Sequence, residues 1–230
     1  MGIKGFNVTT PHKIAIMKYL DRLDSCAAKI GSVNTVTNEN GVLSGYNTDG
    51  MGAIRAVEEV CQLEGRSVVI FGAGGAGKAI AHAFAPRVGS LRILNRTFSK
   101  ASDLERGIRN RFHVDVSCGR FIQSNIKEFV INGDIIVNAS ALGMEGNKHL
   151  PVRREWLNRR QLVFEIVYRP LETQFLKRAK RVGARTVSGL EMLVHQGAYS
   201  FELWTGKKAP IGKMRRAVSQ YLTALSYARS

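Results

Sequence analysis

Strand-like runs that alternate with helical stretches predict an α/β fold, a parallel sheet wound with helices on both faces. Two observations carry this. From residue 66 onward, β-branched and apolar runs recur at 67–71, 91–94, 112–116, 134–139, 162–167 and 185–187. Helical stretches fall between several of them, at 76–85, 99–109 and 171–182. Right-handed crossovers place such helices over the two faces of the sheet. A third observation is a glycine cluster at the junction of the first strand and first helix, treated below.

The composition bounds the alternatives. The chain has 230 residues, of which 44% are hydrophobic and 23% charged, which excludes a disordered, collagen-like or coiled-coil chain. No stretch approaches the roughly 18 apolar residues of a membrane span. Cys26, Cys61 and Cys118 are an odd set without CxxC spacing and read as reduced thiols of a cytoplasmic protein, with no metal site. Lys+Arg number 34 against 18 Asp+Glu, a net charge of +16. Such a chain attracts anions, nucleic acid among them. The positive residues are nevertheless scattered in short groups, such as 106–111, 153–160 and 177–181, with no RNP-type aromatic motif or zinc-finger spacing beside them. A highly basic surface also suits small anionic ligands, so the charge is consistent with several functions and diagnostic of none.

Gly72-Ala73-Gly74-Gly75-Ala76-Gly77 matches GxGxxG between a buried strand and a helix, the context that makes it a dinucleotide-binding turn. Gly72 permits the turn, Gly74 lets the main chain approach a pyrophosphate, and Gly77 allows close helix–strand packing. The helix N-terminus offers free N–H groups to the phosphates. No GK[ST] follows, which excludes a P-loop. The end of the second strand reads Asn95-Arg96-Thr97, with Lys100 one helical turn beyond. The acid that would bind a ribose 2′-hydroxyl is absent, and a guanidinium can hold a 2′-phosphate. The predicted cofactor is therefore NADP(H), on a Rossmann-type sheet.

The first sixty residues differ. A strand at 5–9, a helix at 12–20 begun by Pro11, and a hairpin of 33–37 with 42–46 about Asn40-Gly41 are predicted. A helix at 51–60 follows, with Asp49 available to cap it. These elements are too few to close a core alone. Two helices end the chain. Their apolar stripes run through Leu190, Leu193, Val194, Ala198 and Phe201, then Ile211, Met214, Val218, Tyr221, Leu222 and Leu225.

Taken in order, these clusters resemble the shikimate dehydrogenase family. The family's NVT-x-P-x-K run corresponds to Asn7 through Lys13, its AVNT to Ser32-Val33-Asn34-Thr35, and its NTDG to Asn47 through Gly50. The glycine turn, Asn95-Arg96-Thr97, the run from Glu165 to Thr173, and the run from Gly189 to Ala198 follow in family order. The resemblance implies NADPH-dependent, reversible reduction of 3-dehydroshikimate to shikimate in aromatic amino acid biosynthesis. It implies a catalytic pair, Lys13 and Asp49, and a substrate-binding set of Thr9, Asn34, Tyr168 and Gln196. For the cofactor it implies Gly72, Ala73, Gly74, Gly75, Ala76, Asn95, Arg96, Thr97 and Lys100, with Gly189 and Met192 close to the nicotinamide. Residues 1–62 then form a smaller α/β substrate-binding domain, 63–188 the NADP-binding domain, and 189–230 helices that return to the first. His12 and His195 read as packing or surface residues. A catalytically inactive NADP-binding relative and a quinate/shikimate dehydrogenase are the alternatives. Monomer and homodimer both fit.

The family pattern also includes an earlier Ser-x-Ser segment that grips the substrate carboxylate, and the chain opens past it. The substrate domain is therefore expected to be incomplete, carboxylate binding weak, and apolar surface on 5–20 and 211–225 exposed or covered by another chain. Glu165 stands for the usual Asp and Arg169 for the usual Asn.

Overall fold

The structure is a computed structural model that describes residues 2–9 and 11–227; Thr10 of the 7–13 run lies outside them. Its larger sheet is the parallel one predicted. Strands β1 (Gly5–Asn7) and β2 (Arg22–Leu23), helix α1 (Ser25–Ile30), β3 (Thr35–Glu39), β4 (Val42–Tyr46) and α2 (Asp49–Glu58) come first. Then β5 (Ser67–Phe71), α3 (Gly75–Phe84), β6 (Ser90–Asn95), α4 (Phe98–Arg109), β7 (Asp115–Arg120), α5 (Gln123–Asn132) and β8 (Ile135–Asn138) alternate. The chain ends with β9 (Leu162–Glu165), α6 (Gln174–Arg181), β10 (Arg185–Val187), α7 (Gly189–Thr205) and α8 (Ile211–Tyr227).

Strand order in the six-stranded sheet is β10-β9-β8-β5-β6-β7, all parallel. The order reverses between β5 and β8, so the crevice beyond their C-terminal ends is the topological switch point where such sheets hold ligands. The strands bury both faces by strict alternation. Val68 and Ile70 of β5 face a cluster that includes Ile80, Phe84, Leu104 and Ile108 of α3 and α4. Val69 and Phe71 face Ile126, Val130, Phe175 and Leu176 of α5 and α6. Period-two side chains that are apolar on both faces are what a sheet covered twice requires.

The smaller sheet has order β1-β3-β4-β2. Its hairpin turns at Asn40 (φ 54°) and Gly41 (φ 92°), the left-handed pair of a type I′ turn. Among the described residues, only Ala27, Val33 and Val36 are fully buried in its apolar core, so it leans on α7. There Trp204 Nε1 donates to the Val36 carbonyl at 2.9 Å, and Asn7 Nδ2 donates to Ser200 Oγ at 3.1 Å.

Several expectations are corrected. The helix predicted at 12–20 is a turn followed by a short 3-10 helix, Ala15–Tyr19. The Lys13 carbonyl accepts Val33 N–H at 2.9 Å, and Met17 N–H reaches only Ile14, so tertiary bonding displaces the α-helical ladder. The strand at 112–116 shifts to β7, because Phe112 and Val114 pack beneath α4 and pairing with β6 starts at Asp115. Helices α1 and α5 were not expected. Helix α5 buries only Ile126 and Val130, too thin a stripe to stand out, whereas α1 has a legible Asp24 cap and a left-handed Gly31. Phe6, Ile14 and Tyr19 are exposed as expected. On α8, by contrast, Ile211, Met214, Val218 and Leu222 pack against Leu190 and Val194, leaving Tyr221 exposed.

Helix α2 is the joint between the parts. A Cβ on its Gly50 would lie 2.8 Å from the Ala79 carbonyl and the Ala83 methyl of α3. One on Gly52 would lie 2.8 Å from Gln196 N of α7. Gly52→Ala is therefore expected to destabilise the protein by about 1–3 kcal/mol in urea denaturation. Gly107→Ala, in α4 with open space around it, is expected to stabilise by up to about 1 kcal/mol.

Candidate active site

The glycine turn caps β5 at the switch point. Gly72 has φ 114°, and a Cβ there would meet the Ala139 carbonyl at 2.6 Å. A Cβ on Gly77 would lie 2.1 Å from the Gly72 carbonyl, which is why α3 can start so close to the strand. Gly74 faces open space and caps α3 without a side chain, leaving the first N–H groups of the helix available. A phosphate is the natural partner for such an end. Asn95 ties the second strand to this turn: its Oδ1 accepts Ala73 N–H at 3.1 Å, and its Nδ2 donates to the Thr97 carbonyl at 2.9 Å. Gly75 and Ala76 open α3. Arg96, Thr97 and Lys100 are exposed beyond Asn95, and Arg96 has no ion-pair partner among the described residues. The turn, the open backbone at Gly74 and the free guanidinium fit a dinucleotide bearing a 2′-phosphate.

Lys13 and Asp49 come together on the same side. Lys13 Nζ lies 2.5 Å from Asp49 Oδ2, with 19% and 7% of the side chains exposed. The Lys13 stem reaches within 4.0 Å of where a Gly75 Cβ would stand, so the ammonium sits beside the glycine turn. Asp49 is the first residue of α2, and its side chain does not cap the helix. Its other oxygen accepts Asn34 Nδ2–H at 2.8 Å.

Asn34, nearly fully buried, organises the rest. Its Oδ1 accepts Thr48 N–H at 2.8 Å and Thr35 Oγ1–H at 3.0 Å; its amide also donates to Gln196 Oε1 at 3.3 Å. Thr35 Oγ1 lies 2.8 Å from Ser200 Oγ. Thr35, Thr48 and Ser200, none of them among the predicted site residues, thus join Asn34, Asp49 and Gln196 in one network. The signal for Ser200 was its position one helical turn after Gln196.

Other predicted residues stand apart from this network. Thr9 is exposed, and its carbonyl accepts His12 N–H. Tyr168, 41% exposed, lines a groove of about 430 Å³ with Arg169, Leu193, Val218, Tyr221 and Leu222. Gly189 lies tight against the main chain at Ile166, and Met192 is buried in the larger core cluster. His12 is exposed, whereas His195 is buried with Nε2 at 3.1 Å from Glu59 Oε1 but without hydrogen-bond alignment. Burial pushes the His195 imidazole below its ordinary pKa. Glu59, Glu191 and His195 carry potential metal-ligand atoms within 4.8 Å of one another. The Arg215 guanidinium already sits on both carboxylates, at 2.8 Å from Glu191 and 2.9 Å from Glu59, making the group an ion-pair network that pins α8.

Glu165 emerges as a buried support. Its carboxylate accepts Asn138 Nδ2–H at 2.9 Å, Val167 N–H at 3.0 Å and Thr173 Oγ1–H at 3.0 Å. It thereby clamps both ends of the loop that carries Tyr168 and holds the end of β8 next to the Ala139 backbone on which Gly72 rests. Asn138 in turn accepts Ser140 Oγ–H at 2.7 Å.

An α/β dinucleotide-binding protein with a partly buried ammonium–carboxylate pair is the class this geometry defines. The comparisons with known proteins narrow it. Residues 1–36 match the family described as shikimate dehydrogenase substrate binding domain, and 189–218 match shikimate 5′-dehydrogenase C-terminal domain. A relative named shikimate dehydrogenase (NADP(+)), from Moorella thermoacetica, is 42% identical over 98% of this chain and 78% of its own length. A crystal structure of a shikimate dehydrogenase in complex with NADP+ superposes with TM-score 0.87 at 41% identity, covering 96% of this chain and 77% of that one. The Listeria monocytogenes shikimate 5-dehydrogenase in complex with shikimate and NAD gives TM-score 0.87 at 33% identity, over 95% and 78%. The chain belongs to the shikimate dehydrogenase family.

Desolvation pushes the Glu165 pKa from 4.5 up to about 7 against the pull of its hydrogen bonds. The folded state therefore holds a proton that the unfolded state releases between these values. Its contribution to stability is full below 4.5 and is lost as pH rises through about 7. The denaturation midpoint of the wild type, relative to Glu165→Gln, is expected to fall across that window; a pH-independent difference would refute the assignment.

Proposed function

We propose that the chain catalyses the NADP-dependent, reversible reduction of 3-dehydroshikimate to shikimate, a step of aromatic amino acid biosynthesis. The observation that carries this reading is the Lys13–Asp49 pair beside the glycine turn. A bound nicotinamide supplies or takes up the hydride. Reduction of a ketone leaves negative charge on oxygen, and Lys13 is positioned to stabilise that charge and donate the proton. In the oxidative direction the same amine accepts it. Asp49 holds the ammonium through Oδ2, and its own orientation is set through Oδ1 by Asn34. Asn34, Gln196 and Thr9 offer amide and hydroxyl groups for the substrate's hydroxyls, with Tyr168 at the rim; such groups both donate and accept.

For the cofactor, Gly72 through Ala76 receive the pyrophosphate, Arg96, Thr97 and Lys100 the 2′-phosphate, and Gly189 and Met192 the nicotinamide side. Residues 1–62 and 189–230 together would form the substrate side, a reading supported by the bonds from Trp204 and Ser200 to the small sheet. The partners in this reading are small molecules, in the cytoplasm, for a monomer or homodimer; the three cysteines are free, and no described helix is long and apolar enough to cross a membrane. The quinate alternative is not favoured, because the curated relatives carry the name shikimate dehydrogenase (NADP(+)).

Incubation with shikimate and NADP+ is expected to generate reduced cofactor, read by its absorbance; binding without turnover would favour the inactive alternative. Lys13→Ala is expected to lower turnover by about 10²–10⁴-fold with NADP+ affinity little changed. Equal loss of both would make its role structural. Arg96→Asp is expected to reduce the NADP-over-NAD ratio of kcat/KM by about tenfold or more. Unchanged selectivity would remove Arg96 from the 2′-phosphate site.

A further inference from the structure

Two basic groups far apart in sequence, 153–160 and 177–181, meet on the face of the large sheet opposite α3. There Arg153, Arg154, Arg178 and Arg181, with Gln123 and Glu155, line a groove of about 410 Å³ between α5, α6 and the short 3-10 turn Arg154–Trp156. Two of these guanidiniums are held in place by neutral groups. Arg178 Nη1 donates to the Val152 carbonyl at 2.7 Å and to the Leu150 carbonyl at 3.2 Å. Arg153 lies 5.5 Å above the Trp156 ring, and its Nη2 donates to Gln123 Oε1 at 3.3 Å. Among the described residues none of the four forms an ion pair, although Glu155 borders the same groove.

Four guanidiniums against the single carboxylate of Glu155 leave a local surplus of positive charge in the groove. Neutral partners fix the Arg153 and Arg178 forks without cancelling their charge. That is the preorganisation an anion site needs, because the ligand does not have to immobilise the side chains. Guanidinium forks match phosphoryl oxygens in pairs. We propose that this groove is a second anion site, separate from the glycine turn, which binds a small free anion carrying two or more phosphoryl charges. The short reach of this shallow groove suits a compact ligand; a nucleic-acid backbone would call for a longer basic track.

The proposal is independent of turnover, and the probe is inorganic tripolyphosphate. It is titrated calorimetrically into the full chain with one equivalent of NADP+, which occupies the glycine turn without a surplus of phosphorylated competitor for the groove. The wild type is expected to bind one equivalent. Arg154→Glu/Arg181→Glu is expected to weaken that binding about tenfold or more while leaving kcat and KM for shikimate unchanged. Arg154→Gln/Arg181→Gln, without charge reversal, serves if the first variant fails to fold. Unchanged affinity in a folded variant would overturn the proposal. So would a wild type that binds a short RNA duplex, with steep salt dependence, but not tripolyphosphate.

Discussion

The buried carboxylate of Asp49 constrains everything around it. An ionised group withdrawn from water costs several kcal/mol unless its lone pairs are met, and removing one partner of such a pair leaves the other charge stranded. Here Oδ2 meets the Lys13 ammonium and Oδ1 meets the Asn34 amide. The three residues come from a turn, the entry to β3 and the first turn of α2. The small sheet, the 3-10 segment and α2 can therefore satisfy Asp49 only in one mutual arrangement. The positive end of α2 adds to the same preference, since Asp49 is its first residue.

That arrangement is transmitted to the nucleotide side through glycine. With Gly50 and Gly52 on opposite contacts, α2 approaches α3 and α7 more closely than any side chain would permit. The helix that carries the carboxylate is thus packed directly on the helix that opens at the glycine turn. Gln196, which shares the amide of Asn34, lies on the second of those contacts. Ion pair, glycine turn and polar wall form one packed unit.

Buried polar groups divide into two kinds. Asn34, Thr35, Thr48 and Ser200 are neutral and mutually bonded, a satisfied network that specifies the geometry of the charged pair. Glu165 is a lone carboxylate surrounded by donors, and desolvation still raises its pKa to about 7. It holds the loop of Tyr168 and the end of β8, so its charge state bears on the far side of the same crevice. The +16 surplus is distributed unevenly over the rest of the surface: Arg92, Arg106 and Arg109 are paired with acids, while the arginines over α5 and α6 are not.

Much of the fold was legible because its determinants are local. Alternating apolar strands, GxGxxG between strand and helix, and Asn-Gly in a hairpin each encode backbone geometry within a few residues. The misplaced elements were those whose hydrogen bonds go elsewhere: the 3-10 helix after Lys13, whose carbonyl serves Val33, and β7, whose edge pairing ignores its apolar neighbours. The residue types along the chain determined an α/β dinucleotide fold, a preference against an acidic ribose site and a short set of reactive side chains. Which of those side chains touch was decided only by tertiary structure. Lys13, Asn34, Asp49 and Gln196 are separated by as many as 183 positions, and no periodicity relates them. Chain closure brought Lys13 and Asn34 to Asp49 and Gln196 to Asn34, and left Tyr168 at the rim.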